Sequence, residues 1–293
     1  MSQSGVPINS ISLGNKLRAY RRHPASFFLL LLVLLAATVT VLVLFFLVGY
    51  ILIKGIPYLQ PKLFSFVYNS ENVSMMPAMI NTITMVLLSL LIAVPFGVGA
   101  AIYLVEYAKK GNKLVELIRL TAETLTGIPS IIYGLFGMLF FNIALGFRYS
   151  MLSGALTLSI MVLPLVMRTT EEALLCVPAA YREGSFGLGA GKLRTIFQIV
   201  LPAAIPGILS GVILAIGRIV GETAALIYTA GTVTGIAGLM DSGRTLAIHM
   251  YVLSNEGLHG NEANATAVVL LLIVLLINGL SAVIAKRFEA PRQ

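Results

Sequence analysis

An arginine and a glutamate stand one helical turn apart inside a stretch that is otherwise apolar. The stretch reads GRIVGETAALIY over residues 217–228, with Arg218 and Glu222 at a spacing of four. On a continuous helix this spacing places both side chains on one face. A guanidinium presents a planar fork of donors that suits two oxygens of an oxyanion, and a neighbouring carboxylate can hold it in place. The pair therefore predicts an anion contact that Arg218 makes and Glu222 positions.

The apolar surroundings make this pair costly. A charged residue at the centre of a membrane helix costs roughly 3 kcal/mol on insertion scales, so the pair costs about 6 kcal/mol. The eleven Leu, Ile and Val residues between positions 205 and 228 return roughly 3 to 7 kcal/mol in total. The favourable and unfavourable free energies of inserting this helix into lipid nearly cancel. We therefore expect it to face a protein interior or an aqueous cavity. The structural alternative is that the two charges only neutralise each other.

Arg168 is a second candidate for an anion contact. It follows Pro164, and Glu171 and Glu172 stand three and four residues further along as holders of the guanidinium. We expect Arg168 towards the inner end of its helix. An ordinary positively charged anchor at the membrane surface is the alternative to an exit-side anion contact there.

The elements that carry these residues are apolar runs of membrane-spanning length. Hydrophobic residues make up 58% of the 293 residues, and charged residues only 11%; the mean hydropathy is +0.93. This composition excludes a soluble domain. Since about 20 helical residues cross the hydrocarbon core, six runs predict an all-α integral membrane protein. The predicted spans are 26–53, 78–107, 119–145, 150–176, 205–230 and 264–286, flanked by an N-terminal segment 1–25 and a tail 287–293. Pro129 predicts a kink in the third span.

The distribution of basic residues predicts the orientation of these spans. The net charge is +8, and most of the Lys and Arg residues fall in segments on one side if the N-terminus is cytoplasmic. The positive-inside rule then puts both termini in the cytoplasm. Because membrane topology accounts for the charge, we exclude nucleic acid as a partner.

The chain carries no motif of a catalytic or nucleotide-binding site. The GAGKL stretch resembles part of a phosphate-binding loop, but Phe186 and Leu193 stand where that loop requires Gly and Ser or Thr. The sequence has no H-E-x-x-H, no G-x-S-x-G and no Cys–His cluster. We therefore predict no catalytic residue, no metal site and no cofactor bound by this chain.

The segment between the fourth and fifth spans carries the most specific pattern. It reads AYREGSFGLGAGKLRTIFQIVLPAAIPGI and mixes apolar and basic positions, so short helices could dock one face into a protein groove. A helix lying on lipid headgroups is the alternative. The segment resembles the EAA coupling motif of ATP-binding-cassette importer permeases. In this chain, Gly184 and Ser185 stand in place of the two alanines of that motif. The matching positions are Glu183, Gly184, Ser185, Gly189, Ile199, Leu201 and Pro202.

Three further stretches resemble the membrane subunits of the bacterial phosphate-specific import system. They are PAMINTITMVLLSLLIAVPFGVGAAIYLVEYA, GIPSIIYGLFG and GRIVGETAALIYTAG, and the likeness covers roughly residues 77–286. The GRTLAIHMYVL stretch resembles the A-type permease (PstA) more than the C-type (PstC). We expect this stretch to form a short amphipathic helix at the membrane interface, with His249 at the surface.

The resemblance implies the permease fold of type I importers, with a cytoplasmic coupling loop between helices four and five. It also implies a second, homologous permease as heterodimer partner, two ATPase subunits that bind ATP and Mg²⁺, and a phosphate-binding protein outside the cell. This chain would form half of the path for inorganic phosphate and would not be an enzyme. The alternatives are a permease for sulfate or molybdate, or an ion-coupled secondary transporter in which Glu222 relays protons.

Overall fold

The computed structural model describes residues 24–109 and 111–288. The predicted terminal segments 1–25 and 287–293 lie outside the described residues, except for their inner two residues. The described part of the chain is helical, without strands. Its helices are α1 (Pro24–Gly55), α2 (Met76–Ile102), α3 (Lys113–Thr126), α4 (Ser130–Gly137), α5 (Met151–Leu175), α6 (Ala179–Gly187), α7 (Lys192–Thr195), α8 (Leu201–Gly221), α9 (Ala224–Thr229), α10 (Leu246–Glu256) and α11 (Gly260–Phe288).

Within the described residues, five stretches of helix are long and apolar enough to cross a membrane. They are Ala25–Tyr58, Met76–Tyr107, Met151–Leu175, Lys192–Gly221 and Gly260–Leu280. A bent pair of helices, Lys113–Thr126 and Ser130–Ala144, makes the sixth when it is counted as one span. The chain divides into two compact units, the first ending at Ile53 and the second beginning at Lys54. The protein is a multi-pass membrane protein of the predicted all-α class.

The kink expected at Pro129 is a sharp break. Helix α3 ends at Thr126, α4 begins at Ser130, and their axes differ by 101°. Proline lacks an amide donor and disfavours helical geometry at the residue before it, here Ile128. The Tyr133 hydroxyl donates to the Leu125 carbonyl at 2.8 Å across the break. The Leu125 carbonyl also accepts from the Ile128 amide at 3.2 Å, so the hydroxyl is a second donor to it at the end of α3.

Helix α5 lies at the centre of the second unit. Leu158, Met161 and Val162 are fully buried, and the helix packs against α2 on one side and α8 on another. The Ser159 hydroxyl donates to the Ser89 carbonyl of α2 at 3.1 Å. The two ends of α5 provide a reference for the rest of the molecule. We call them the Met151 end and the Leu174 end.

The span predicted over 205–230 differs from the structure at both ends. Its helix runs from Lys192 to Gly221, passing through a π-helical stretch at Ile196–Val200, and α9 follows separately. The break comes at Glu222, whose ψ of 130° is extended. The Asn142 amide donates to the carbonyls of Tyr228 and Thr229 at 3.0 and 3.3 Å, which satisfies the end of α9. The Ser150 amide also donates to Thr229, so the end of α9 lies at the Met151 end.

Candidate functional site

Arg218 lies in the last turn of α8, directly before the break. The residue is half-buried. Among the described residues, no carboxylate lies within 4 Å of it. A guanidinium without a protein counter-ion, at the point where a membrane helix is interrupted, has its donors available for an anion.

The expected pairing of Glu222 with Arg218 is wrong. Glu222 is buried, and its carboxylate accepts a hydrogen bond from the Ala225 amide at 3.1 Å. The spacing of four predicts neighbours only on a continuous helix, and the chain leaves helical geometry at Glu222. The carboxylate turns forward and caps the first turn of α9, where it also faces the positive end of the helix dipole.

A cavity of about 530 Å³ opens beside the break. Thr223 and Tyr228 line it from α9 and the break, Tyr251 from α10, and Asn264 from α11. Its lining holds no charged side chain, and neither Arg218 nor Glu222 contributes to it. The cavity therefore offers no counter-charge to an anion, and Arg218 faces a different part of the surface.

Arg168 belongs to a network of charges between α3 and α5. It contacts Glu123 and Glu172 at 3.4 Å each, and Arg119 contacts Glu171 at 2.6 Å. The pairing of Arg168 with Glu172 was expected, whereas Glu171 pairs with the neighbouring helix. These side chains line a cavity of about 270 Å³ near the Leu174 end of α5. Because Arg168 is 53% exposed, its two ion pairs are solvent-screened and readily exchanged.

The predicted coupling residues form a helix–turn–helix at the Leu174 end. We call residues 177–200 the coupling segment; it contains α6 and α7 and leads directly into α8. The turn depends on Gly189, whose φ of +82° is left-handed. The Gly189 amide donates to the Phe186 carbonyl at 2.9 Å, and the Ala190 amide donates to Ser185 at 3.1 Å. This is a Schellman motif, which closes the end of α6 and suits glycine.

The two helices of the coupling segment are joined through Ser185, whose hydroxyl lies 2.8 Å from that of Thr195.

Glu183 is exposed and has no ion pair among the described residues. Leu188 is an apolar side chain that is 92% exposed, so almost none of its surface is buried against the described part of the chain. A cavity of about 540 Å³ lies between α6 and the start of α8, and Tyr181, Leu188 and Ile199 contribute to its lining. The other predicted positions lie on the same segment or just after it: Gly184, exposed; Leu201, half-buried; and Pro202, exposed in the first turn of α8.

An ion pair that the sequence did not suggest anchors the coupling segment. Arg182 in α6 donates to Glu106 from Nη2 at 2.7 Å and from Nε at 2.9 Å. Glu106 lies in the π-helical stretch Tyr103–Tyr107, which continues the end of α2. The same guanidinium donates to the carbonyls of Leu174 and Val177 at 2.9 Å each. The Lys192 ammonium lies 4.7 Å from the centre of the Tyr107 ring. The segment is therefore tied to the end of α2 at two points.

The structure also differs from the sequence prediction at His249. A helix forms over this stretch as α10, but it is not the amphipathic surface helix that was expected, since Leu246, Ile248 and His249 are all fully buried. Within the described ranges, no three His, Cys, Asp or Glu side chains come together as a metal site would require. No signal in the sequence distinguished a buried histidine from an exposed one, because α10 is apolar on most of its faces.

Comparison with known proteins agrees with this architecture. A probable ABC transporter permease protein, YqgI of Bacillus subtilis (strain 168), is 33% identical over 254 residues, covering 79% of this chain and 85% of that one. The phosphate transport system permease protein PstA 1 of Mycobacterium tuberculosis (strain CDC 1551 / Oshkosh) is 36% identical and covers 74% of this chain and 71% of its own length. PstA of Yersinia pestis is 37% identical and covers 68% of each.

Solved structures of importers share the fold. A bacterial alginate ABC transporter, crystallised in complex with alginate pentasaccharide-bound periplasmic protein, matches with a TM-score of 0.64 at 19% identity, over 92% of this chain and 99% of that one. The MetNI methionine ABC transporter, in an inward-facing conformation, matches with a TM-score of 0.58 at 20% identity, over 73% and 94%. The fold is thus that of type I importer permeases. Residues 93–291 match the family described as binding-protein-dependent transport system inner membrane component, and the chain belongs to that family.

Proposed function

We propose that this chain is an A-type permease subunit of an ATP-driven importer of inorganic phosphate and forms half of the translocation path. The names of the M. tuberculosis and Y. pestis relatives support phosphate as the substrate. One structural observation carries the proposal, namely that Arg218 has no carboxylate within 4 Å among the described residues. An unpaired guanidinium is costly in a membrane protein unless an anion or water reaches it.

The partners of this subunit follow from its family and its surfaces. A second, homologous permease would complete the path around Arg218, and a phosphate-binding protein would deliver substrate outside the cell. Two ATPase subunits in the cytoplasm would bind ATP and Mg²⁺ and dock on the coupling segment, whose exposed Leu188 and Glu183 suit a protein groove. Both termini and the Leu174 end would then face the cytoplasm, and the Met151 end would face outwards.

Transport would proceed by alternating access. When the ATPases close on ATP, they move the coupling segment, and α8 follows because it continues from that segment without a loop. Arg218 would contact phosphate in the path through its planar donors. Arg168 would make the exit-side contact, with Glu123 and Glu172 releasing its guanidinium as the anion passes. Glu222 would keep the break in shape by capping α9.

Uptake of radiolabelled phosphate into proteoliposomes that contain the complete complex tests this function. We expect uptake to need internal ATP and the binding protein, and Arg218→Met to abolish uptake while the complex still assembles. Arg148→Met, an exposed arginine at the Met151 end, is the matched control and should transport normally. Full uptake by Arg218→Met would overturn the role of Arg218.

The same assay separates the alternative functions. Excess sulfate or molybdate would suppress phosphate uptake if another oxyanion were the substrate. An ion-coupled carrier would take up phosphate without ATP and would lose uptake when the proton gradient collapses. Glu222→Gln keeps an acceptor for the Ala225 amide but cannot relay a proton, so retained uptake would exclude a relay at this position.

A further inference from the structure

A cluster of buried polar side chains lies at the start of α10, at the Met151 end and separate in sequence from Arg218. The cluster consists of Arg244, Thr245 and His249. Tyr68 packs beside it and lies in the segment 59–75, which precedes α2. Arg244 is 4% exposed, and Thr245 and His249 are fully buried. Among the described residues, Arg244 Nη2, Thr245 Oγ1 and both ring nitrogens of His249 have no hydrogen-bond partner.

The backbone amides and carbonyls around this cluster, by contrast, have hydrogen-bond partners. The Arg244 amide donates to the Val233 carbonyl at 3.1 Å, and the Asn81 side chain donates to the Arg244 carbonyl at 3.2 Å. The Leu246 amide donates to the Thr82 hydroxyl at 2.8 Å. The main chain is therefore pinned to the start of α2, and only the side chains of the cluster are left without partners.

A buried guanidinium without a counter-charge needs compensation from its surroundings. Arg244 forms no ion pair with any described residue. Its guanidinium carbon lies 4.7 Å from the centre of the Tyr68 ring. The attraction of an aromatic face for a cation is smaller than the desolvation penalty of a buried charge. Tyr68 therefore offsets only part of the cost.

His249 adds a donor to this site without adding a second charge. Burial and the nearby Arg244 lower the pKa of His249 to about 3, so its ring is neutral. The Val73 backbone lies beside the ring but does not meet hydrogen-bond geometry. Thr245 precedes the first residue of α10, and its carbonyl accepts from the His249 amide at 2.8 Å. Arg244 and His249 both lie against the Tyr68 ring. The start of α10 thus holds a hydroxyl, one imidazole N–H and a guanidinium N–H.

We propose that Arg244, Thr245 and His249 form a binding site for a small tetrahedral oxyanion at the start of α10. Three kinds of donor and one uncompensated positive charge match a ligand with a negative charge and several acceptor oxygens. The positive end of the α10 dipole adds to the attraction. The site lies at the same end as the end of α9, because the Gly243 amide donates to the Ala230 carbonyl, and it lies opposite the coupling segment. If the proposed function holds, this end faces outwards, and the site receives substrate before it reaches Arg218.

Thermal unfolding of the assembled complex, purified in phosphate-free buffer without the binding protein, tests this site. Inorganic phosphate should raise the Tm saturably, whereas chloride at the same ionic strength should not. Arg244→Met should lose this rise, yet in phosphate-free buffer its Tm should equal or exceed that of the wild type, because the variant removes an unpaired buried charge. Arg148→Met, the exposed control at the Met151 end, should keep the rise. The absence of a phosphate effect in the wild type, or its persistence in Arg244→Met, would overturn the site.

A milder variant covers the case in which Arg244→Met does not fold. Thr245→Val keeps the shape of the side chain and removes one donor, so we expect about tenfold weaker phosphate binding in equilibrium dialysis. Equal binding by the wild type and Thr245→Val would contradict the site. Neither measurement uses ATP or transport. A failure of the proposed function would therefore appear in the uptake assay and leave these binding results unchanged.

Discussion

Arg182 and Glu106 join the coupling segment to the end of α2, with 2.7 Å between Nη2 and Oε1. The coupling segment already continues into α8, and Arg182 also contacts the carbonyl of Leu174 at the end of α5. A displacement of this segment would therefore reach three long helices at once. The pair is well placed to transmit such a movement, because Glu106 is 9% exposed and has few alternative partners.

Removal of one member of this pair should weaken both the fold and the coupling. Arg182→Met leaves the Glu106 carboxylate largely buried without its partner, and we expect a loss of about 2–3 kcal/mol in stability, at the lower end for such pairs because Arg182 is partly exposed. ATP hydrolysed per phosphate imported should rise. Glu116→Gln on α3, an exposed carboxylate, is the control. An Arg182→Met complex with the stability and ATP-to-phosphate ratio of the control would refute the link.

Leu188 should be an anchor for the ATPase subunits. Leu188→Asp should leave the fold intact, because the side chain is 92% exposed, and should abolish copurification of the ATPase. Leu258→Asp is a matched control, since Leu258 is 84% exposed and lies between α10 and α11. Binding of the ATPase to both variants alike would show that the exposed leucine of the coupling segment has no special role.

The contact between α4 and α9 should require a glycine at position 134. A Cβ added at Gly134 would lie 2.8 Å from Ala225 Cα and 3.0 Å from its carbonyl oxygen, and backbone atoms cannot move aside. We expect Gly134→Ala to cost about 1–3 kcal/mol. At Gly99 in α2 a Cβ meets nothing within 4 Å, so Gly99→Ala should be neutral or stabilise by up to about 1 kcal/mol. In thermal unfolding, the Tm of Gly134→Ala should fall, whereas the Tm of Gly99→Ala should stay the same or rise. Equal shifts in Tm would contradict the close contact.

His249 should make the stability of the protein depend on pH. Its pKa is lowered to about 3 by burial and by Arg244, and Tyr68 is the other titratable group that faces the ring. The unfolded chain binds the proton first, near pH 6.5, so stability is complete above that pH and falls as the pH drops towards 3. In phosphate-free buffer the loss should approach about 1.4 kcal/mol per pH unit. His249→Gln should flatten this slope; an unchanged slope would mean that another group titrates.

The sequence determined the features that depend on local composition and backbone chemistry. Six apolar runs predicted the long helices, because length and hydropathy alone decide whether a helix can cross lipid. Pro129 marked the break between α3 and α4, since a proline disrupts any helix wherever it packs. Gly189 was identified only as a motif position, and the structure shows that it adopts the left-handed conformation that favours glycine in the turn of the coupling segment. The roles of Arg218, Arg168 and the coupling residues in transport stay predictions.

The tertiary structure decided which polar groups meet. The spacing of Arg218 and Glu222 suggested a pair, but the helix ends between them and Glu222 caps α9 instead. Arg182 and Glu106 are 76 residues apart, so nothing in their local sequence pairs them. Arg244 lies in an irregular segment, and only packing against Tyr68 and α2 buries it. Such contacts depend on which helices become neighbours, and that choice is made by the packing of the whole chain rather than by the periodicity of any one segment.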